Sequence, residues 1–170
     1  KYEWQDMSFS HPAEWTVEEH IPVSHAVDYQ ATDKHLLILS TGDELSSFSI
    51  LSDNLSEKDA QATAYKDYVL SFMDRSTEDV IAGLQASDPT ATEINVSEIT
   101  LNNRSWQKVE YLREYEKSYP NETVILQEIR YRYLFKDRFI TIQYNCPVEQ
   151  KETLRAFEEI LQSLQIQENE

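Results

Sequence analysis

Glycine is nearly absent: the 170 residues contain two, Gly42 and Gly83. Phosphate cradles of the P-loop and Rossmann kind need several closely set glycines so that backbone can approach the ligand, and none can be built here. Cysteine is rarer still. Cys146 stands alone, so no intramolecular disulfide forms, which suits the cytosol and equally the cysteine-poor secreted proteins of many bacteria. Long apolar runs are missing too. The longest, Leu36 to Leu39, is strand-sized and far short of the roughly 18 residues that span a bilayer. Positive charge is scarce: 15 Lys and Arg face 31 Asp and Glu, a net charge of −16. Such a surface repels polyphosphate, so no nucleic acid is expected among the partners.

What is present is enough for a core. Hydrophobic residues make up 40% and aromatics 11% of a 19.9 kDa chain, the size of one domain spanning 1–170. Short strands are expected at Met7–Ser10 and Glu14–Glu18, split by His11-Pro12-Ala13, where proline favours a break. Residues 19–33 lack periodicity and read as a loop or edge segment. The β-rich runs His35–Thr41 and Ser46–Leu51 flank Gly42-Asp43-Glu44 and predict a hairpin. Ser56 before Glu57-Lys58-Asp59 reads as a helix cap. Tyr65, Tyr68, Val69 and Phe72 then give an apolar stripe at helical spacing. Ser76-Thr77-Glu78-Asp79 starts a second helix, carried by Val80, Ile81 and Leu84 and ended at Asp88-Pro89.

From Thr92 the period changes to two. Ile94 and Val96 alternate in one phase and Ile99 and Leu101 in the other, which predicts a bulge or turn near Ser97-Glu98. Strands follow over Ser105–Tyr115, Thr123–Phe135 and Arg138–Cys146, the last with Ile140, Ile142, Tyr144 and Cys146 inward. Glu149 to about Leu164 closes the chain as an amphipathic helix with Leu154, Phe157, Ile160, Leu161 and Leu164 on its apolar face. Short turns between the strands of 92–146 make them antiparallel. The fold class is therefore α+β, a twisted antiparallel sheet with helices packed against it.

Chemistry is sparse in this pattern. No nucleophile elbow or triad spacing is legible, the inward phase of Cys146 marks a buried, inert thiol, and no catalytic residue is assigned. Glu18-Glu19, Glu114/Glu116 and Glu158-Glu159 read as solvated surface in a chain so rich in acids. His20 and His25 flank a loop with Glu18, Glu19 and Asp28, and His35 follows nearby in sequence. They are weak metal candidates, because no His-x-x-x-His pair fixes a geometry; no metal or other cofactor is expected. Tyr111, Tyr131, Tyr133 and Tyr144 are expected to cover the sheet under helices, although tyrosines can also line a ligand groove. Arg130, Arg132, Lys136 and Arg138 interleave with Tyr131, Tyr133 and Phe135. On a strand, that alternation puts aromatics on one face and solvated arginines on the other, and such a basic stripe could dock an acidic protein. Four sequons, at Asn54, Asn95, Asn103 and Asn121, would matter only in a eukaryotic secretory pathway.

Three segments together resemble a known family. Phe9-x-x-Pro12-x-x-Trp15-x-Val17, the Ile142-x-Tyr144-x-x-Pro147 strand end, and Phe157 followed by Ile160-Leu161-Gln162-Ser163-Leu164 are similar to the opening, penultimate strands and final helix of the Mog/PsbP-like superfamily. The resemblance implies an α/β/α sandwich and a non-enzymatic role, since the family offers no catalytic residues to carry over. It also implies the soluble part of a bacterial envelope lipoprotein: extracytoplasmic, membrane-anchored through an N-terminal lipid attached upstream of Lys1, and bound to a protein partner. The alternatives are a cytoplasmic chaperone for a secreted effector, as in the family's effector-binding members, and a small-ligand or metal carrier.

Overall fold

Alternating apolar residues along consecutive segments leave two sheet faces to be covered, and the chain covers both. A computed structural model describes residues 1–20, 33–55, 60–118 and 121–167. The elements are β1 (Tyr2–Trp4), β2 (Met7–Phe9), β3 (Thr16–His20), β4 (Asp33–Ser40), β5 (Ser47–Asn54), α1 (Ala60–Met73), α2 (Thr77–Ser87), β6 (Thr92–Leu101), β7 (Arg104–Ser118), β8 (Asn121–Phe135), β9 (Arg138–Pro147), α3 (Lys151–Ser163) and β10 (Gln165–Ile166). Seven strands form one antiparallel sheet in the order β3-β4-β5-β9-β8-β7-β6. The expected α+β sandwich is the architecture observed. A small sheet, β1-β2-β10, adds a feature that periodicity over two or three residues cannot announce.

One face of the main sheet carries the larger core. Leu37, Leu39, Phe48, Ile50, Ile129, Tyr131, Ile140, Ile142 and Tyr144 bury against Phe157, Ile160 and Leu161 of α3, against Leu164 just after it, and against Trp4, Met7 and Phe9 of the small sheet. The inward phase of β9 ends on Cys146, which is buried and free. The other face carries α1 and α2. Val80 and Leu84 of α2 pack with Val109 and Tyr111 of β7. Val69 of α1 packs with Leu55 and Phe139. Tyr68 of the same stripe is 55% exposed, so α1 meets the sheet along only part of its apolar surface. Ser76 caps α2 by accepting from the Asp79 amide at 3.1 Å; Ser56 lies outside the described residues.

Three expectations are corrected. The strand breaks differ at their ends: Glu19 and His20 belong to β3 and Asp33 to β4, and the rest of the expected loop or edge segment lies outside the described residues. The phase change in β6 is not a bulge at Ser97-Glu98. Pairing with β7 runs unbroken from Asn95 to Leu101. Ile94 and Val96 face α2, whereas Ile99 and Leu101 face the larger core, because each half of the strand is covered on a different side. The register shift falls instead between Thr92 and Asn95, where Glu93 takes φ 51°. Finally, the arginines of β8 are not simply solvated. Arg132 lies with its guanidinium 4.4 Å from the Phe72 ring centroid of α1, and Arg130 bonds to buried Glu128.

Candidate functional site

Scarcity of glycine has a visible effect at the turns. Gln5, Glu93, Asn102, Asn103 and Lys136 all adopt positive φ, and Gly42 is the one glycine to do so. Gln5 sits in the β1–β2 turn and Lys136 in the β8–β9 turn, and these two turns border a cavity of about 680 Å³. Strain of this kind persists only where surrounding contacts hold it, and here they do. The Arg138 guanidinium pairs with Asp6 and donates to Ser52 Oγ at 3.1 Å. Lys66 of α1 reaches Asp137 at 2.6 Å, and the Leu55 amide donates to the Asp137 carbonyl at 2.6 Å.

The third wall is the C-terminal segment. Asn102 Nδ2 donates to the Leu164 carbonyl, Arg104 Nη2 to the Ile166 carbonyl at 3.1 Å, and the Gln167 amide to the Asp6 carbonyl at 2.7 Å. The β6–β7 hairpin therefore clamps β10 beside the cavity. Tyr133 and Phe135 line it with rings nearly parallel, 4° apart in tilt and 6.2 Å between centroids. Arg104 lies over Tyr133 and Lys136 over Phe135. Burial holds the Arg138 guanidinium below its ordinary range, and the buried Asp6 Oδ1 has no hydrogen-bond partner among the described residues. The result is an open cleft with an aromatic floor and a rim of both charges.

Sequence reasoning named Lys136 and Arg138 as basic residues, and the structure brings both to this cleft. It places Arg130 and Arg132 on the opposite face of the sheet, so the four cations do not form one stripe. Gln5, Asp6, Arg104 and Ile166 were missed; their roles depend on strands two or three residues long, which leave no periodic signal. Of the metal candidates, His25 and Asp28 lie outside the described residues. His20 contributes its backbone to β3 opposite Leu36. Among the described residues no group of three or more His, Cys, Asp or Glu is placed to hold a metal. Glu114 and Glu116 are exposed, Glu19 accepts from the Tyr2 hydroxyl, and Glu159 pairs with Arg155. Tyr111, Tyr131, Tyr133 and Tyr144 are all buried, but Tyr133 lines the cleft, the alternative role expected of these tyrosines. No described helix is long and apolar enough to cross a membrane.

No protein-family model and no curated protein matches the sequence. Solved structures do match. The cyanobacterial PsbP of Synechocystis superposes with a TM-score of 0.53 over 95% of this chain and 87% of its own, at 12% identity. The chain has the PsbP-like fold. A second match is LpqN of Mycobacterium tuberculosis, described as involved in cell envelope biogenesis, with a TM-score of 0.45 over 95% of this chain and 83% of its own at 13% identity. At 12% identity the likeness to the cyanobacterial protein is one of fold alone. Of the segments that carry the sequence resemblance, Trp15 lies just before β3, Pro147 at the end of β9 and Phe157 on α3.

Proposed function

We propose that this chain is a non-enzymatic docking or assembly module that binds another protein through the cleft between the β1–β2 and β8–β9 turns. The carrying observation is the make-up of that cleft: the stacked Tyr133 and Phe135 rings beneath a rim of Arg104, Lys136, Arg138 and Asp6. An aromatic centre with a polar, mixed-charge rim is the composition of protein-binding surfaces. Its carboxylates are engaged, Asp6 with Arg138 and Asp137 with Lys66, and an ion-paired carboxylate is a poor general base. An extracytoplasmic position, with a lipid anchor upstream, belongs to the same reading. It rests on the resemblance of the Phe9–Val17 and Phe157–Leu164 segments to envelope lipoprotein domains. The second reading is a small-ligand carrier, favoured by the cavity volume of about 680 Å³, within the roughly 300–1,000 Å³ of small-molecule sites.

Affinity capture from the membrane fraction of the source cells tests the docking reading. Wild type and the Tyr68→Asp variant, altered on the far face, should retain the same partner, while Phe135→Asp and Lys136→Glu should lose it. Recovery of an identical set of proteins by all four chains would contradict the assignment to this cleft. Native mass spectrometry of the purified protein distinguishes the second reading, which requires a bound small molecule that Phe135→Asp releases.

A further inference from the structure

A second cavity, about 160 Å³, lies under the α1–α2 junction on the opposite face of the sheet. Three guanidiniums line it: Arg75 after α1, and Arg130 and Arg132 on β8. The remaining lining is Phe72, Val80, Gly83, Leu84, Ser87 and Val109, with no carboxylate. Arg130 turns one nitrogen to Tyr111 at 2.7 Å and to Glu128 at 3.1 Å, and its buried Nε has no partner among the described residues. Arg132 donates to Gln107 at 3.1 Å and forms no ion pair among the described residues. Burial, with Arg130 and Arg75 adding repulsion, lowers the Arg132 guanidinium to about 10. In a chain carrying 16 excess negative charges, three mutually repelling cations around one apolar-walled space leave a charge unanswered.

We infer that this cavity binds a tetrahedral oxyanion, phosphate or sulfate, held by Arg75, Arg130 and Arg132. Planar guanidinium forks match oxyanion geometry, and three of them border this one space. The size fits: the space equals about five waters at roughly 30 Å³ each, enough for a four-oxygen anion and too small for a drug-sized ligand. General accumulation of anions on this surface is opposed by its net charge, so saturable binding can come only from a built site. The inference is independent of the docking cleft, which lies on the other face.

Isothermal titration of the whole chain with inorganic phosphate, and separately with sulfate, tests it, with chloride held constant. One saturable site is expected for wild type. Arg132→Gln and Arg75→Gln should each weaken it about tenfold or more, as loss of a charged hydrogen bond does, while Arg155→Gln on α3 should not. Arg75 is exposed, so its variant keeps the test alive should Arg132→Gln unfold. Glycerol phosphate separates the sources. Binding as tight as phosphate assigns the site to the end of a phosphomonoester, and binding of the inorganic ions alone assigns it to the free anion. No saturable heat with phosphate or sulfate up to about 10 mM, weaker than any affinity near 1 mM (about −4 kcal/mol), would overturn the inference. So would affinity unchanged in Arg75→Gln and Arg132→Gln. The arginines would then serve only as counter-charges to the C-terminal end of α1.

Discussion

The indole of Trp15 meets the ring of Phe157 edge-on, with centroids 4.9 Å apart and planes at 67°. One residue precedes β3 and the other sits midway along α3, so this contact helps to join the two ends of the sequence across the main core. Phe157 also packs on Tyr144 at 4.9 Å and Phe48 at 5.9 Å. Replacing it with alanine should cost about 3–5 kcal/mol, the range for a fully buried aromatic. A double-mutant cycle with Trp15→Ala, read by urea denaturation, should give a coupling of about 0.5–1.5 kcal/mol. Strict additivity would mean that the two rings do not support each other.

That contact also marks how far the sequence could be read. The helical spacing of Phe157, Ile160, Leu161 and Leu164 announces α3, and two-residue alternation announces β8 and β9, because each buries one continuous face. β6 misleads, since Ile94 and Ile99 are buried on opposite faces and the change of side looks like a bulge. β1 and β10 are too short for any period. The cleft was illegible for the same reason: its residues come from turns, and only three-dimensional closure brings Gln5, Arg104 and Lys136 together.

Glu128 is buried and accepts from Tyr111 at 2.6 Å, from Arg130 at 3.1 Å, from Gln143 at 3.4 Å and from Arg113. Glu128→Gln keeps the shape but removes the charge that two arginines answer. Stability should fall by roughly 3 kcal/mol, because half a buried pair is left behind. A loss of unfolding free energy in urea under one-third of that would show the network to be dispensable.

Alkaline pH should destabilise the protein. Burial pushes the Cys146 thiol up to about 11 and raises Tyr131 and Tyr144 above the ordinary tyrosine range; Tyr111 is raised by burial and by its bond to Glu128. The unfolded chain gives up these protons first, so the native state holds more of them and stability falls as pH rises. The loss begins near pH 9 with the thiol and near pH 10 with the phenols. The thiol alone accounts for about 2 kcal/mol by pH 10.5. Urea midpoints at pH 8 and 10.5 check this, and Cys146→Ala should remove the earlier part. Equal midpoints at the two pH values would refute it.

Glu93 is exposed and held at φ 51° where β6 slips register. A left-handed residue other than glycine carries a penalty of roughly 1–2 kcal/mol, part of which glycine's greater unfolded freedom offsets. Glu93→Gly should therefore stabilise by about 0.5 kcal/mol, and Glu93→Val should destabilise by at least 1 kcal/mol, since a β-branched side chain tolerates that backbone least. Thermal melts of the two variants, moving in opposite directions, check the geometry.

The most direct test of the docking surface is a photo-activated cross-linker placed at position 136, on the rim over Phe135, and in a second chain at position 68 on α1. Irradiation within intact source-cell membranes should yield one discrete protein adduct from position 136 and none from position 68. Adducts from position 68 alone, or none from either, would contradict binding through the cleft.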